Sequence, residues 1–414
     1  MGFSKLTIAG ALLLCSLQIS AKNLPQDFDV KRMEADIQRI KNQVENTAPL
    51  QRDTIDLPVF KQLQLPNLFG IPGYSHLKFP IYKSTGKKGP GILLVHGNSS
   101  SSRSFVYQVL SLLGKQYKIF LLDLPGFGQS EKMPANLPLP TDPGTGIPLG
   151  FPEYSLGLIE AVATAAADPQ INPKIFVGWS LGGDVLLFAK GLGLLPNAKG
   201  LFLVGTAPQG ANAPSSHFPA QAPYVPGFEA AGFSTLLSYG FGFKLNAQSP
   251  FGFSLDGQFT DPVEPGTPAP ISQAPNVGTA YLRAFFNEQQ RLSDYLPPFF
   301  VEDGFQRADA RTRQSIGAAF LFPTPGILPD ELQVLQGLAG DPQNPADDIP
   351  IALMIGGDDA FFDRQYVLDL AAHGAVPTLW NNQVIVVPEA GHAVHFDRPV
   401  VFNLKLRQFI DDIH

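Results

Sequence analysis

Three residue types, spread along this chain in a fixed order, have the chemistry to break an acyl bond. The first is Ser180, inside Gly178-Trp179-Ser180-Leu181-Gly182. The apolar run Lys174-Ile175-Phe176-Val177 leads into it, and a helical-looking stretch, Gly183 to Lys190, leaves it. G-x-S-x-G between a strand and a helix is the pattern of a nucleophile elbow. The turn is sharp, and glycine tolerates both the backbone strain and the close approach of strand and helix. A hydroxyl held there stands beside helix N-terminal amides that can receive negative charge. The pentapeptide alone would occur by chance in roughly one chain in four of this glycine content. The residues further along therefore carry the decision.

Residues 350–359 read Pro-Ile-Ala-Leu-Met-Ile-Gly-Gly-Asp-Asp, an apolar run ending in glycines and then acids. Residues 384–392 read Val-Ile-Val-Val-Pro-Glu-Ala-Gly-His, a second run leading to Gly-His. The order is serine, acid, histidine, each at the end of a predicted strand. Serine is a poor nucleophile at neutral pH and needs a base within hydrogen-bond reach. Histidine can take that proton and return it to the leaving group. An acid fixes the histidine tautomer and stabilises the imidazolium. Either Asp358 or Asp359 has the right residue type for that role.

The elements that must position these groups follow from hydrophobic patterning. Short apolar runs lie at Leu77–Tyr82, Ile92–Val95, Ile119–Leu122, Ile175–Val177, Leu201–Val204, Ile351–Ile355 and Val384–Val387. Most are continuous rather than alternating, which suits strands buried on both faces of a parallel sheet. Helical patterns lie between them at Phe105–Leu113, Tyr154–Ala167, Asp184–Leu195, Asp363–His373 and Val400–Ile413. This alternation predicts an α/β fold, a mostly parallel sheet with helices on both faces and ligands at the carboxyl ends of the strands. Residues 29–46 carry a helical spacing of Val30, Met33, Ile37, Ile40 and Val44. Two stretches interrupt the pattern. Residues 131–152 form a Pro/Gly-rich loop, and residues 208–348 are far longer than a crossover needs. The second is rich in Phe, Pro and Gly and reads as a cap inserted over the catalytic face.

Composition narrows the alternatives. The 414 residues are 44% hydrophobic and 16% charged with a net charge of −7, which excludes a disordered chain and argues against a nucleic-acid partner. Lys5 followed by the apolar stretch Leu6–Leu17 and the small residue Ala21 reads as an export signal over residues 1–21, followed by a periplasmic or secreted chain. The single cysteine, Cys15, falls inside that segment, so no disulfide is expected. No His, Cys, Asp or Glu cluster has metal-ligand spacing, and no Gly-rich phosphate loop is present. The expectation is a site with no cofactor and no metal.

The chain resembles the α/β-hydrolase superfamily, in its capped serine hydrolase form. The resemblance rests on His96-Gly97-Asn98-Ser99-Ser100, Asp123-Leu124-Pro125-Gly126-Phe127-Gly128-Gln129-Ser130, the elbow through Gly183, Gly356-Gly357-Asp358-Asp359, and Gly391-His392. It implies a core in two parts, 75–207 and 349–414, with a cap or lid insertion at 208–348 and an N-terminal extension at 22–74. It implies Ser180 as nucleophile and His392 as base. The family spacing Gly-x-x-Asp, counted from Gly356, selects Asp359 as the acid. The oxyanion hole would be the backbone N–H groups of Leu181 and Asn98, with Ser99 as the alternative to Asn98, and His96 would be structural. The activity implied is hydrolysis of a small-molecule or lipid-like carboxylic ester, with possible peripheral lipid or membrane contact. Two alternatives stay open, an amide or peptide hydrolase with a cap carboxylate such as Glu229, Glu264, Glu288 or Glu302 holding an ammonium group, and a catalytically silent binding protein.

Overall fold

A computed structural model describes residues 30–46, 57–70, 76–132, 152–215, 281–293, 296–305, 307–309, 312, 329–340 and 348–413. The export signal at 1–21 lies outside the described residues, as do most of the 131–152 loop and residues 216–280 of the insertion. Among the described residues, no helix is long and apolar enough to cross a membrane.

Eight strands form one sheet: β1 Val59–Gln64, β2 Lys78–Lys83, β3 Lys88–Val95, β4 Tyr117–Leu122, β5 Pro173–Trp179, β6 Gly200–Val204, β7 Ile351–Gly356 and β8 Ile385–Val387. Their order is β1-β2-β4-β3-β5-β6-β7-β8. The β1–β2 and β2–β4 pairs are antiparallel. The remaining pairs, from β4 to β8, are parallel. All seven apolar runs in the sequence are strands of this sheet. The eighth, β1, was not legible as one because its sequence, Val-Phe-Lys-Gln-Leu-Gln, is half polar and mostly exposed on the sheet edge.

The continuous apolar runs have the expected cause, since alternate residues feed two cores on opposite faces. Leu93 and Val95, Phe176, Leu201 and Leu203, and Leu353 and Ile355 pack on one side with the helices Pro152–Ala167, Leu181–Gly191 and Arg364–Ala372. Ile92 and Leu94, Val177 and Trp179, Phe202 and Val204, and Met354 pack on the other with the helix Pro399–Ile413. That second core also takes in Tyr281, Leu282, Phe285, Phe286, Phe300 and Phe305 from the chain between β6 and β7. The helix Val30–Asn46 buries Met33, Ile37 and Ile40 against Val106 and Tyr107, as its spacing predicts.

The helical pattern at Phe105–Leu113 is broken into short turns, Ser102–Phe105, Val106–Val109 and Leu112–Gln116. Ser101 starts the first turn ahead of the pattern and Ser111 divides the pattern, because each side-chain oxygen accepts a backbone N–H at the head of a new turn. The strand register brings the functional ends together. Val95 faces Gly178, Trp179 faces Val204, Val204 faces Met354 and Gly356 faces Val387. The loops that leave β3, β5, β7 and β8 therefore emerge at one edge of the sheet.

Candidate active site

Ser180 follows β5 directly and precedes the helix Leu181–Gly191, with φ 52° and ψ −125°. A non-glycine residue held in such a conformation costs about 1–3 kcal/mol, so the surroundings must over-determine it. They do so through the backbone. The Ser180 N–H donates to the Val204 carbonyl at 2.8 Å, and the Ser180 carbonyl accepts from the Gly183 N–H at 2.7 Å and from Thr206 Oγ1 at 3.1 Å. The flanking glycines are required by close approach. A Cβ at Gly178 would stand 2.5 Å from Gly183 Cα, and one at Gly182 would stand 2.2 Å from the Val95 carbonyl oxygen.

Leu181 opens the helix, where the first N–H groups have no acceptor within the helix. The loop after β3 runs against the same turn, since a Cβ at Gly97 would lie 3.1 Å from Ser180 Cβ. Asn98 comes next and is buried, its Nδ2 donating to the Tyr281 hydroxyl at 3.4 Å. Ser99 Oγ donates to Asn98 Oδ1 at 3.4 Å.

At the ends of β7 and β8 Asp359 and His392 meet. His392 Nδ1 lies 2.9 Å from Asp359 Oδ2, and both side chains are within 2% of complete burial. Asp359 Oδ1 accepts the N–H groups of Phe361 at 2.8 Å and Phe362 at 3.1 Å. Those two donors fix the carboxylate's orientation. An ionised carboxylate only accepts, so Nδ1 carries the proton and the Nε2 lone pair stays free for a proton from elsewhere. Asp358 is turned to another task. Its N–H donates to the Ala390 carbonyl at 2.8 Å, and its carbonyl accepts from Arg291 Nη1 at 2.9 Å.

His392 and the elbow share the end of β6. A Cβ at Gly205 would lie 3.0 Å from His392 Nδ1, and Gly205 follows Val204, the residue that holds the Ser180 N–H. Trp179 Nε1 donates to the His392 carbonyl at 3.0 Å. Around the imidazole stand the rings of Phe361, Phe362, Trp179 and Phe285, with centroids 4.8, 5.4, 5.7 and 5.9 Å away. This wall keeps the local dielectric low, which strengthens the charge interactions inside it.

The other residues in these motifs hold the scaffold. His96 donates from Nδ1 to the Gly97 carbonyl at 2.8 Å and accepts the Leu124 N–H on Nε2 at 3.0 Å. Burial lowers its pKa, against the opposing charge of Asp123. Asp123 accepts the N–H groups of Ser102 and Gln129, both at 2.8 Å, and ties down the turn between them. Asp363 caps the helix Arg364–Ala372 through the Gln365 N–H. His395 is fully buried among Phe105, Trp179 and Phe402.

Three contributors carried no sequence signal. Tyr281 reaches the Asn98 side chain and Arg291 reaches the Asp358 carbonyl, both from the long chain between β6 and β7. Asp397 accepts the N–H groups of Gly391 and Asn287, both at 2.7 Å. Burial pushes its carboxyl up to about 7, against those two hydrogen bonds. Among the described residues, no group of three or more His, Cys, Asp or Glu side chains is arranged to hold a metal ion.

Comparison with known proteins bears on the family and the fold. Pimeloyl-[acyl-carrier protein] methyl ester esterases are similar to one stretch of the chain. That of Xylella fastidiosa is 31% identical over 120 residues, which is 29% of this chain and 38% of the relative. That of Stenotrophomonas maltophilia is 31% identical over 122 residues, 30% of this chain and again 38% of the relative. The chain thus matches well under half the length of these curated relatives. Solved structures share the fold over most of it. An N-acyl homoserine lactonase complexed with N-hexanoyl homoserine lactone superposes with a TM-score of 0.56 at 20% identity, covering 86% of this chain and 98% of its own. A thermophilic esterase from Thermogutta terrifontis gives 0.53 at 16% identity, covering 86% and 99%. The family model described as "Alpha/beta hydrolase family" matches residues 92–403. That span runs from β3 through the elbow and both carboxyl-end loops into the last helix, and the chain belongs to the alpha/beta hydrolase family.

Proposed function

We propose that the protein is an exported serine hydrolase of carboxylic esters. Ser180 is the nucleophile, His392 the general base and acid, and Asp359 the residue that orients the base. The observation that carries this reading is the buried His392–Asp359 hydrogen bond of 2.9 Å, set beside a strained serine elbow. In the first step Ser180 Oγ attacks the ester carbonyl carbon and its proton passes to His392 Nε2. The carbonyl oxygen becomes an oxyanion, met by the N–H groups of Leu181 and Asn98. Collapse of the tetrahedral intermediate breaks the bond to the alcohol oxygen, which leaves with the proton from Nε2. Water then repeats the sequence on the acyl-enzyme, giving the acid and free Ser180.

The substrate end of the reading is a small-molecule or lipid-like ester with an apolar acyl group. Phe285, supplied by the 208–348 insertion that we read as a cap over the site, joins Trp179, Phe361 and Phe362 in making the surroundings of His392 aromatic. Pockets lined in this way take apolar groups. The relatives' names point the same way, naming a methyl ester esterase and a lactonase, and a lactone is a cyclic ester.

The test is hydrolysis of p-nitrophenyl esters of increasing acyl length beside aminoacyl anilides, with wild type and Ser180→Ala. Ester turnover that disappears in the variant, together with fluorophosphonate labelling of Ser180, is the expected result. An unchanged rate in Ser180→Ala removes the nucleophile assignment. Faster anilide than ester turnover makes the enzyme an amide hydrolase, and a wild-type Ser180 that is not labelled makes the protein a silent binding member of the family.

A further inference from the structure

The acid and the base sit on separate loops, after β7 and β8, and their geometry depends on what holds those loops together. A segment from far away in sequence touches both. The Phe285 carbonyl accepts the Ala393 N–H at 2.7 Å. Gly391 is packed so closely on this segment that a Cβ there would stand 2.3 Å from the Phe286 carbonyl carbon. The Asn287 N–H donates to Asp397 Oδ2 at 2.7 Å, and the same oxygen takes the Gly391 N–H. Four residues later, at the end of the short helix Glu288–Arg291, Arg291 Nη1 donates to the Asp358 carbonyl at 2.9 Å. Residues 285–287 thus grip the histidine loop, and Arg291 grips the acid turn.

Arg291 is an unusual residue to find in that position. It is only 3% exposed, and its Nε is buried with no hydrogen-bond partner. A buried guanidinium costs several kcal/mol unless charges of the opposite sign face it. The groups that face it are Asp358, Glu288, Asp359 and Asp397, from the acid turn, its own helix and the histidine loop. Burial lowers its pKa, and these four carboxylates work against that shift. One of the four is the partner of His392. The cation is tied by one hydrogen bond to the carbonyl of residue 358, one peptide unit before the carboxylate of residue 359. That carboxylate has little freedom of its own, because Phe361 and Phe362 pin its other oxygen.

We infer that Arg291 is a positioning residue, and that the segment 285–291 is a brace setting the distance and orientation between Asp359 and His392. The role rests on the serine hydrolase reading above, but it concerns a different residue and has a readout that does not need turnover. Arg291 makes its hydrogen bond to the acid turn, not to His392 or Ser180. It acts through the acid turn, and its surroundings of four carboxylates make it unsuited to holding an anionic substrate.

The test compares Arg291→Met, which keeps the stem and drops the charge and donor, with Arg291→Lys, which keeps the charge and one donor. Steady-state hydrolysis of p-nitrophenyl butyrate gives kcat and KM, and proton NMR follows the downfield resonance of His392 Nδ1–H. Misplacement of a catalytic pair by a fraction of an ångström to an ångström costs up to about 10²-fold, so Arg291→Met is expected to lose at least about tenfold in kcat with KM within about twofold. The downfield resonance should broaden or disappear in Arg291→Met and persist in Arg291→Lys, which should recover most of kcat. If Arg291→Met does not fold, Arg291→Gln takes its place under the same criteria. A folded uncharged variant that keeps both the resonance and kcat overturns the proposal. So does a loss confined to KM, which would make Arg291 a substrate contact, and so does a Lys variant as impaired as the Met one. Failure of the underlying hydrolase reading looks different, because wild-type Ser180 would then resist the fluorophosphonate probe while the Asp359–His392 resonance still responded to Arg291.

Discussion

Replacing Asp359 by Asn changes one atom and, on this geometry, reverses a tautomer. The carboxylate accepts three hydrogen bonds, two on Oδ1 from Phe361 and Phe362 and one on Oδ2 from His392. Asparagine has a single acceptor oxygen. Two backbone donors compete for it against one imidazole, and each net hydrogen bond is worth about 1 kcal/mol, so the oxygen stays on the Oδ1 side. The amide NH2 then faces His392 Nδ1 and donates to it. The ring answers by carrying its proton on Nε2, the atom that must accept a proton from Ser180. Wrong-tautomer variants of Ser-His-Asp triads lose on the order of 10⁴ in kcat, about 5.5 kcal/mol. The fold should hardly change, because the volume and the two backbone bonds are kept. The assay is kcat for p-nitrophenyl butyrate with fluorophosphonate labelling rate in parallel, and urea denaturation as the control. Asp358→Asn is the comparison, expected within about twofold of wild type because its hydrogen bonds run through the backbone, which Asn keeps, and Arg291 still faces three other carboxylates. The reasoning is refuted if Asp359→Asn stays within about tenfold of wild type, or if Asp358→Asn proves the more damaging change.

Gly97→Ala would set a methyl group 3.1 Å from Ser180 Cβ and 3.2 Å from the Trp179 carbonyl oxygen. The elbow must move by a few tenths of an ångström, so kcat should fall by about tenfold with about 1–3 kcal/mol of lost stability, and unchanged kinetics would show that the β3 loop has slack. His395→Phe should stabilise the protein against urea near pH 5. Both His395 nitrogens are buried without a partner, and burial, with His392 second, lowers its pKa to about 3 from 6.5. The unfolded chain binds the extra proton between those values, so stability present above pH 6.5 is lost as pH falls toward 3, by a few kcal/mol at most. The Phe variant should lack that component, and identical acid sensitivity in the two proteins would count against it.

The parts of this site that were legible in the sequence are those set by local rules. Ser180 announces itself because a largely buried strand, two glycines and a helix must follow one another at an elbow, and each leaves its own mark. His392 follows in the same way from Val-Ile-Val-Val and a glycine. The choice of acid was harder. Asp358 and Asp359 are chemically identical neighbours, and what separates them is the turn that aims the N–H groups of Phe361 and Phe362 at one carboxylate. Family spacing selected Asp359, while local physical chemistry left both open. The strand β1 escaped because an edge strand with an exposed, half-polar sequence shows no buried-strand pattern. Arg291 left no mark at all, since its acceptor is 67 residues away and nothing near residue 291 depends on it.

The same contacts bear on what the chain between β6 and β7 is for. A roof that merely covered a site would pack on its rim and could swing away as a unit. Residues 281–305 instead share a core with β5, β6 and the helix Pro399–Ile413. Trp179, which ends β5 next to Ser180, packs on Phe285 and Phe300 with ring centroids 5.3 and 6.0 Å apart, and the same Trp179 holds the His392 carbonyl. Withdrawing that segment would open the second core and release Gly391, Ala393 and the Asp358 turn together. Residues 281–293 and 296–305 are therefore held in place by the core they share. On the proposed reading, changes in that segment should lower kcat through the contacts it makes with Gly391, Ala393 and the Asp358 turn.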